Sequence, residues 1–148
     1  MIIAIGACFI CGCVTQSHQT IPSKDNLTEA QKKISTDLLQ LAGIINLPSG
    51  ITRDSLEQQM EKNHQLIWID ENGTITDEKS TAHALVYVYI KTLDTPDLPL
   101  LKTKVWNITD TDPANKLVVA WVDTNNLFSL ASLDSVQSVR TVTPPMTK

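Results

Sequence analysis

The sequence predicts an α+β domain in which a helical pair precedes an antiparallel sheet. Apolar residues recur at helical spacing up to about residue 63, and from residue 65 the period switches to two. The strand-like runs after that point are short and rich in Val, Ile, Tyr and Trp, with Asn, Asp, Gly and Pro turn signals between them. Length sets the scale: 148 residues, 42% hydrophobic and 19% charged, suffice for one domain with tails.

Residues 1–10 are almost wholly apolar and are followed by Cys11-Gly12-Cys13 and a polar stretch. An apolar run this short cannot cross about 30 Å of hydrocarbon as a helix, which takes about 20 residues. It fits the apolar region of a secretory signal, although no Lys or Arg precedes it. Ile10-Cys11-Gly12-Cys13 resembles a bacterial or archaeal lipobox, in which Cys13 would accept the lipid. That resemblance implies residues 1–13 as signal, residues 14–25 as linker, and an exported protein held at the outer face of the cell membrane. A plain cleaved signal or a buried strand are the alternatives. All three cysteines (Cys8, Cys11 and Cys13) lie in this segment, so no disulfide framework staples the rest of the chain. Zinc would need a polar loop and further ligands that the apolar run does not offer. The sequons at Asn26, Asn72 and Asn107 are compatible with export.

The helical pair spans residues 26–64. Thr28 and Gln31 have capping-box spacing, and Ala30, Ile34, Leu38 and Leu41 continue at helical intervals, predicting an amphipathic helix over 29–42 that Gly43 ends. Glu29 and Lys33 read as a surface ion pair on it. A second cap at Thr52 opens a helix to about residue 63, with Leu56 and Met60 on its buried face and Arg53, Glu57, Glu61 and Lys62 mostly solvated.

The second unit spans residues 65–148. Strands are predicted at 65–69, 84–91, 104–108, 117–122 and 138–142. Asn72-Gly73 marks the first turn, and 110–115 the hairpin between the third and fourth strands. Pro96 and Pro99 limit residues 92–103 to a turn or two of helix. Asp123 or Thr124 caps a helix to about residue 133, with Leu127, Leu130 and Ala131 as its buried stripe. Trp68, Trp106 and Trp121 each fall on a predicted strand, where packing on the sheet is the favoured role.

The pattern Val118-Val119-Ala120-Trp121-Val122, Leu130-Ala131-Ser132-Leu133, Val136 and Val139-Arg140-Thr141-Val142 resembles the peptidase-inhibitor-like propeptide domain that precedes subtilisin-like serine peptidases. Residues 85–90 look like that family's opening strand, and residues 84–142 look like the leader module ahead of surface peptidases in archaeal methane-producers. The resemblance implies a ferredoxin-like antiparallel sheet of four strands with helices on one face. It also implies a tail entering the peptidase's active site, a place that residues 141–148 would take. The interface it suggests comprises Val86, Val88 and Trp121 on the sheet with Thr141, Val142 and Thr143 in the tail.

No catalytic constellation emerges. His18, His64 and His83 are scattered, without a nucleophile elbow, and a triad is a matter of geometry rather than of single letters. Asp110-Thr111-Asp112-Pro113 lacks the ligand spacing of a calcium loop. No Gly-rich phosphate loop calls for a nucleotide cofactor, and a net charge of −4 disfavours nucleic acid. The sequence therefore points to a non-catalytic, membrane-anchored interaction module, and the resemblance implies that it binds or inhibits a subtilisin-like peptidase. A structural or solute-binding accessory lipoprotein is the alternative, and a hydrolase gathering His64 or His83 with a carboxylate and a Ser a third.

Overall fold

The computed structural model describes residues 26–142, so the lipobox with Cys13, the linker and Thr143 lie outside the described residues. Strand β2 (His83–Thr92) organises the sheet. It carries no Gly or Pro, and its even-numbered residues from Ala84 to Thr92 are all buried. One edge pairs antiparallel with β4 (Leu117–Asp123), from Leu85 opposite Asp123 to Lys91 opposite Leu117. The other edge is shared: β1 (Leu66–Ile69) pairs with its first part and β5 (Val136–Thr141) with its second. β3 (Asn107–Asp112) lies outside β4, and every pairing is antiparallel.

Two short helices join these strands: α4 (Leu98–Lys102) between β2 and β3, and α5 (Leu127–Ala131) between β4 and β5. From β2 onward the chain therefore runs strand, helix, strand, strand, helix, strand, with spatial order β5-β2-β4-β3. This is the ferredoxin-like topology, with each helical crossover skipping one strand. The sheet has five strands rather than four, because β1 fills the part of β2's edge that β5 leaves open.

The third strand sits later than its predicted span of 104–108. Asp110, Thr111 and Asp112 pair with Val119, Val118 and Leu117 instead of forming a turn, and the reversal falls after them, where Lys116 adopts φ 54°. Charged residues are tolerated there because β3 is an edge strand with one side in water.

The helix predicted over 29–42 is broken into α1 (Glu29–Lys32) and α2 (Thr36–Leu41). Between them the backbone joins the sheet. Ser35 N–H donates to Val139 O at 3.0 Å, Val139 N–H donates to Lys33 O at 2.8 Å, and Ile34 forms a bridge with Val139. Helical periodicity cannot register this, since Ile34 is buried in either arrangement. The interruption covers the outer edge of β5, which would otherwise expose unpaired donors and acceptors. Glu29 pairs with Lys32 at 2.7 Å rather than with Lys33, whose Nζ donates to Leu133 O. The Thr28 capping box forms as predicted, and Gly43 ends α2 at φ 70°.

Helix α3 (Arg53–Lys62) has its cap at Thr52 and buries Met60, but also Glu57, which the sequence reading placed in solvent. Arg53 Nε lies 2.9 Å from Glu57 and Lys79 Nζ 3.8 Å, so this carboxylate is paired where it is shielded. Lys79 also contacts Glu61 at 2.5 Å and sits 5.0 Å from the Trp68 ring centroid, while Trp68 Nε1 donates to Glu61. These contacts pin the 70–82 connection back onto α3. Leu38, Leu39, Met60, Leu101, Leu127 and Leu130 meet the buried face of the sheet in one core, which places the helices on one side of it.

Two outcomes test this account. Ser35→Pro, which removes the N–H donated to Val139, should cost about 1–3 kcal/mol in urea unfolding. Ser35→Ala keeps that N–H and removes a buried hydroxyl with no partner among the described residues, so its cost should stay under about 0.5 kcal/mol. Burial pushes the Glu61 carboxyl up, but hydrogen bonds from Lys79 and Trp68 and the Lys79 charge outweigh it and leave the group below its ordinary value. A lowered folded-state value stabilises above the unfolded one. The stability of the native protein over Glu61→Gln should therefore be full above about pH 5 and vanish as the pH falls below about 4 and through Glu61's lowered value.

Candidate functional site

The face of the sheet turned away from the helices is the candidate site. Its side chains are the odd-numbered residues of β2 and β4, because alternate residues of a strand point to opposite faces. The register arranges them in rows. Asp112, Leu117, Lys91 and Ser138 form one row across β3, β4, β2 and β5; Asp110, Val119, Tyr89 and Arg140 form the next. In the third, Asn107 faces Trp121, Trp121 faces Tyr87, and Val142 N–H donates to Tyr87 O.

The middle of this lattice is aromatic and aliphatic. Tyr87 and Trp121 stack with ring centroids 4.7 Å apart, and the Tyr87 hydroxyl lies 3.0 Å from Thr109 Oγ1. Tyr87, Tyr89, Leu117, Val119 and Trp121 are each half-buried. The two banks differ in charge: Asp110 and Asp112 line the β3 side, Lys91 and Arg140 the β2–β5 side. The Asn115 side chain and backbone N–H hold the Asp112 carboxyl below the usual aspartate range. At the β1 end the same face is closed. Leu85 and Ile69 are buried, Ile75 bridges back to Ile69, and a Cβ on Gly73 would lie 4.0 Å from the Trp106 ring.

The predicted interface is only partly on this face. Val86 and Val88 belong to the opposite parity of β2 and are fully buried in the core, so they offer no surface to a partner. Trp121 does lie on the open face. Thr141 pairs with Val88, and its hydroxyl donates to Asp37; Val142 is buried, with its carbonyl accepting from Gln65 Nε2 at 2.6 Å. Both are thus anchored in the fold and do not belong to a free tail. Of the three tryptophans, Trp68 faces the core, Trp121 the open sheet and Trp106 is half exposed before β3, not within a strand.

The residues that replace Val86 and Val88 are Tyr87 and Tyr89. Parity in the sequence separates the two sets: Ala84, Val86, Val88 and Ile90 are wholly apolar, whereas Tyr87, Tyr89 and Lys91 end in polar tips suited to a half-wet face.

The histidines were the other candidates. His83 Nδ1 lies 3.3 Å from Asp123 Oδ2, and among the described residues no Ser or Thr hydroxyl hydrogen bonds to either side chain. His64, at φ 54° just past α3, shares a hollow of about 460 Å³ with Tyr87, Asp110 and Asp112, and no Ser or Cys lines it. Among the described residues no three His, Cys, Asp or Glu side chains gather as metal ligands, and no helix is long and apolar enough to cross a membrane.

The chain matches no family model, no curated protein and no solved structure.

Proposed function

We propose that this chain is a non-catalytic interaction module, held at the outer face of a membrane by a lipid on Cys13, whose open sheet face docks on a subtilisin-like peptidase and restrains it. The observation that carries the docking surface is the aromatic–aliphatic lattice of Tyr87, Tyr89, Val119 and Trp121, which no described helix covers. An antiparallel sheet with helices on one side usually leaves its other side polar, so half-buried aromatics there suit a partner better than water. Tyr and Trp are also the side chains that most often anchor protein interfaces. The peptidase as partner rests on the resemblance of residues 117–142 to the propeptide pattern, with which the ferredoxin-like strand order agrees. The anchor rests on Ile10-Cys11-Gly12-Cys13 alone.

Inhibition assays with the purified full chain and a subtilisin-like peptidase from the same cell test the first part. The chain should slow peptide hydrolysis, and Trp121→Ala or Tyr89→Ala should weaken that effect about tenfold or more while circular dichroism stays native. Neither binding nor inhibition, or inhibition indifferent to both substitutions, refutes docking through this face.

Intact-mass analysis of the membrane fraction tests the anchor. It should find a chain beginning at Cys13 with an added lipid mass, lost in Cys13→Ser. An unmodified chain in that fraction refutes it.

A further inference from the structure

A groove of about 1100 Å³ lies between the α1–α2 junction and the β5 end of the open face. Lys32, Lys33, Lys91 and Arg140 line it, and among the described residues no Asp or Glu does. This is unexpected in a chain of net charge −4, whose cations are outnumbered by carboxylates overall. Much of the groove's charge is not neutralised from within. Lys33 and Lys91 donate to the carbonyls of Leu133 and Asn115, with the charges of Glu29 and Asp112 nearby; Lys32 pairs directly with Glu29, and Arg140 forms no ion pair with a described residue. Lys91 and Arg140 share one sheet face as diagonal neighbours, since Tyr89 faces Arg140 and Lys91 faces Ser138. Diagonal positions of this kind stand about 7–8 Å apart, close enough for one anionic head to meet both side chains.

The remaining lining adds an apolar component. Leu27, Tyr89 and Leu117 contribute carbon surface beside the cations. The volume far exceeds that of a bare inorganic ion and lies just above the roughly 300–1,000 Å³ typical of sites that take organic ligands.

We propose that this groove binds an amphiphilic organic anion, with a phosphate or carboxylate head held by Arg140 and Lys91 and an apolar body lying along Tyr89, Leu117 and Leu27. The groove shares Tyr89 with the docking face, but Lys91 and Arg140 lie at the end of that face away from Trp121, so Trp121→Ala separates the two sites.

The test uses the unlipidated Cys13→Ser full chain titrated with monomeric decyl phosphate and followed by amide NMR. Saturable one-site binding should appear, with shifts concentrated at Leu27, Tyr89, Leu117 and Arg140. Arg140→Gln and Lys91→Gln should each weaken it about tenfold, the scale of one charge-assisted contact, and Trp121→Ala should leave it unchanged. Phosphatidylglycerol vesicles separate the sources of the head. Retention on vesicles that Arg140→Gln abolishes assigns a lipid headgroup, while binding of decyl phosphate without vesicle retention assigns a soluble amphiphile. The proposal is overturned if decyl phosphate does not saturate, if decyltrimethylammonium binds as well, if inorganic phosphate alone binds as tightly, or if the two substitutions change nothing.

Discussion

The rest of the structure depends on one constraint: two strands share a single edge of β2. β1 takes the positions from His83 to Val86, and β5 takes those from Val88 to Thr92. Between them they fill that edge of the ten-residue strand, while β4 covers Leu85 to Lys91 on the other. The strands meet end to end near Tyr87, whose N–H donates to Gln65 O and whose carbonyl accepts from Val142. The helical pair is drawn in by the same arrangement, α3 packing against β1 while the α1–α2 junction pairs with β5. The N-terminal helices and the sheet consequently share a core instead of standing as separate units.

That constraint also explains why one face is open. Every helix packs on the side of Val86, Val88 and Ile90, where Leu and Val from α2, α5 and β4 fill the interior. Among the described residues, the opposite side is closed only where the 70–82 connection returns over Leu85 and Ile69. What is left uncovered combines an acidic bank, an apolar middle and a basic bank, a pattern that gives any partner both an orientation and a register.

Much of this was legible in the chain because local signals agreed with the tertiary outcome. Both helix caps, the Gly43 stop, the buried stripe Leu127–Leu130–Ala131 and the strands at β2 and β4 follow from spacing and side-chain type alone. Two of the misses turn on contacts with residues distant in sequence. Ile34 satisfies a helical stripe and a sheet bridge equally well, so periodicity could not show that β5 would interrupt the helix. Glu57 is buried where Lys79 reaches it from the 70–82 connection, beside its closer partner Arg53 on α3 itself. An interface through Val86 and Val88 fails for a different reason, since the wholly apolar parity of β2 is the one that faces the core.

The bridge at Ile34 has a mechanical side. A tension applied at the start of the described chain reaches the body of the fold first through Leu27 and then through the Lys33–Ser35 bonds to Val139. Those bonds grip the outermost strand on that flank of the sheet, not the central β2–β4 pair. A pull from the N-terminal side would thus strip α1 and the edge of β5 before loading the strands that carry Tyr89 and Trp121. The open face keeps its backbone scaffold while the attachment gives, so this junction is the fuse of the molecule and the central strands are its protected circuit.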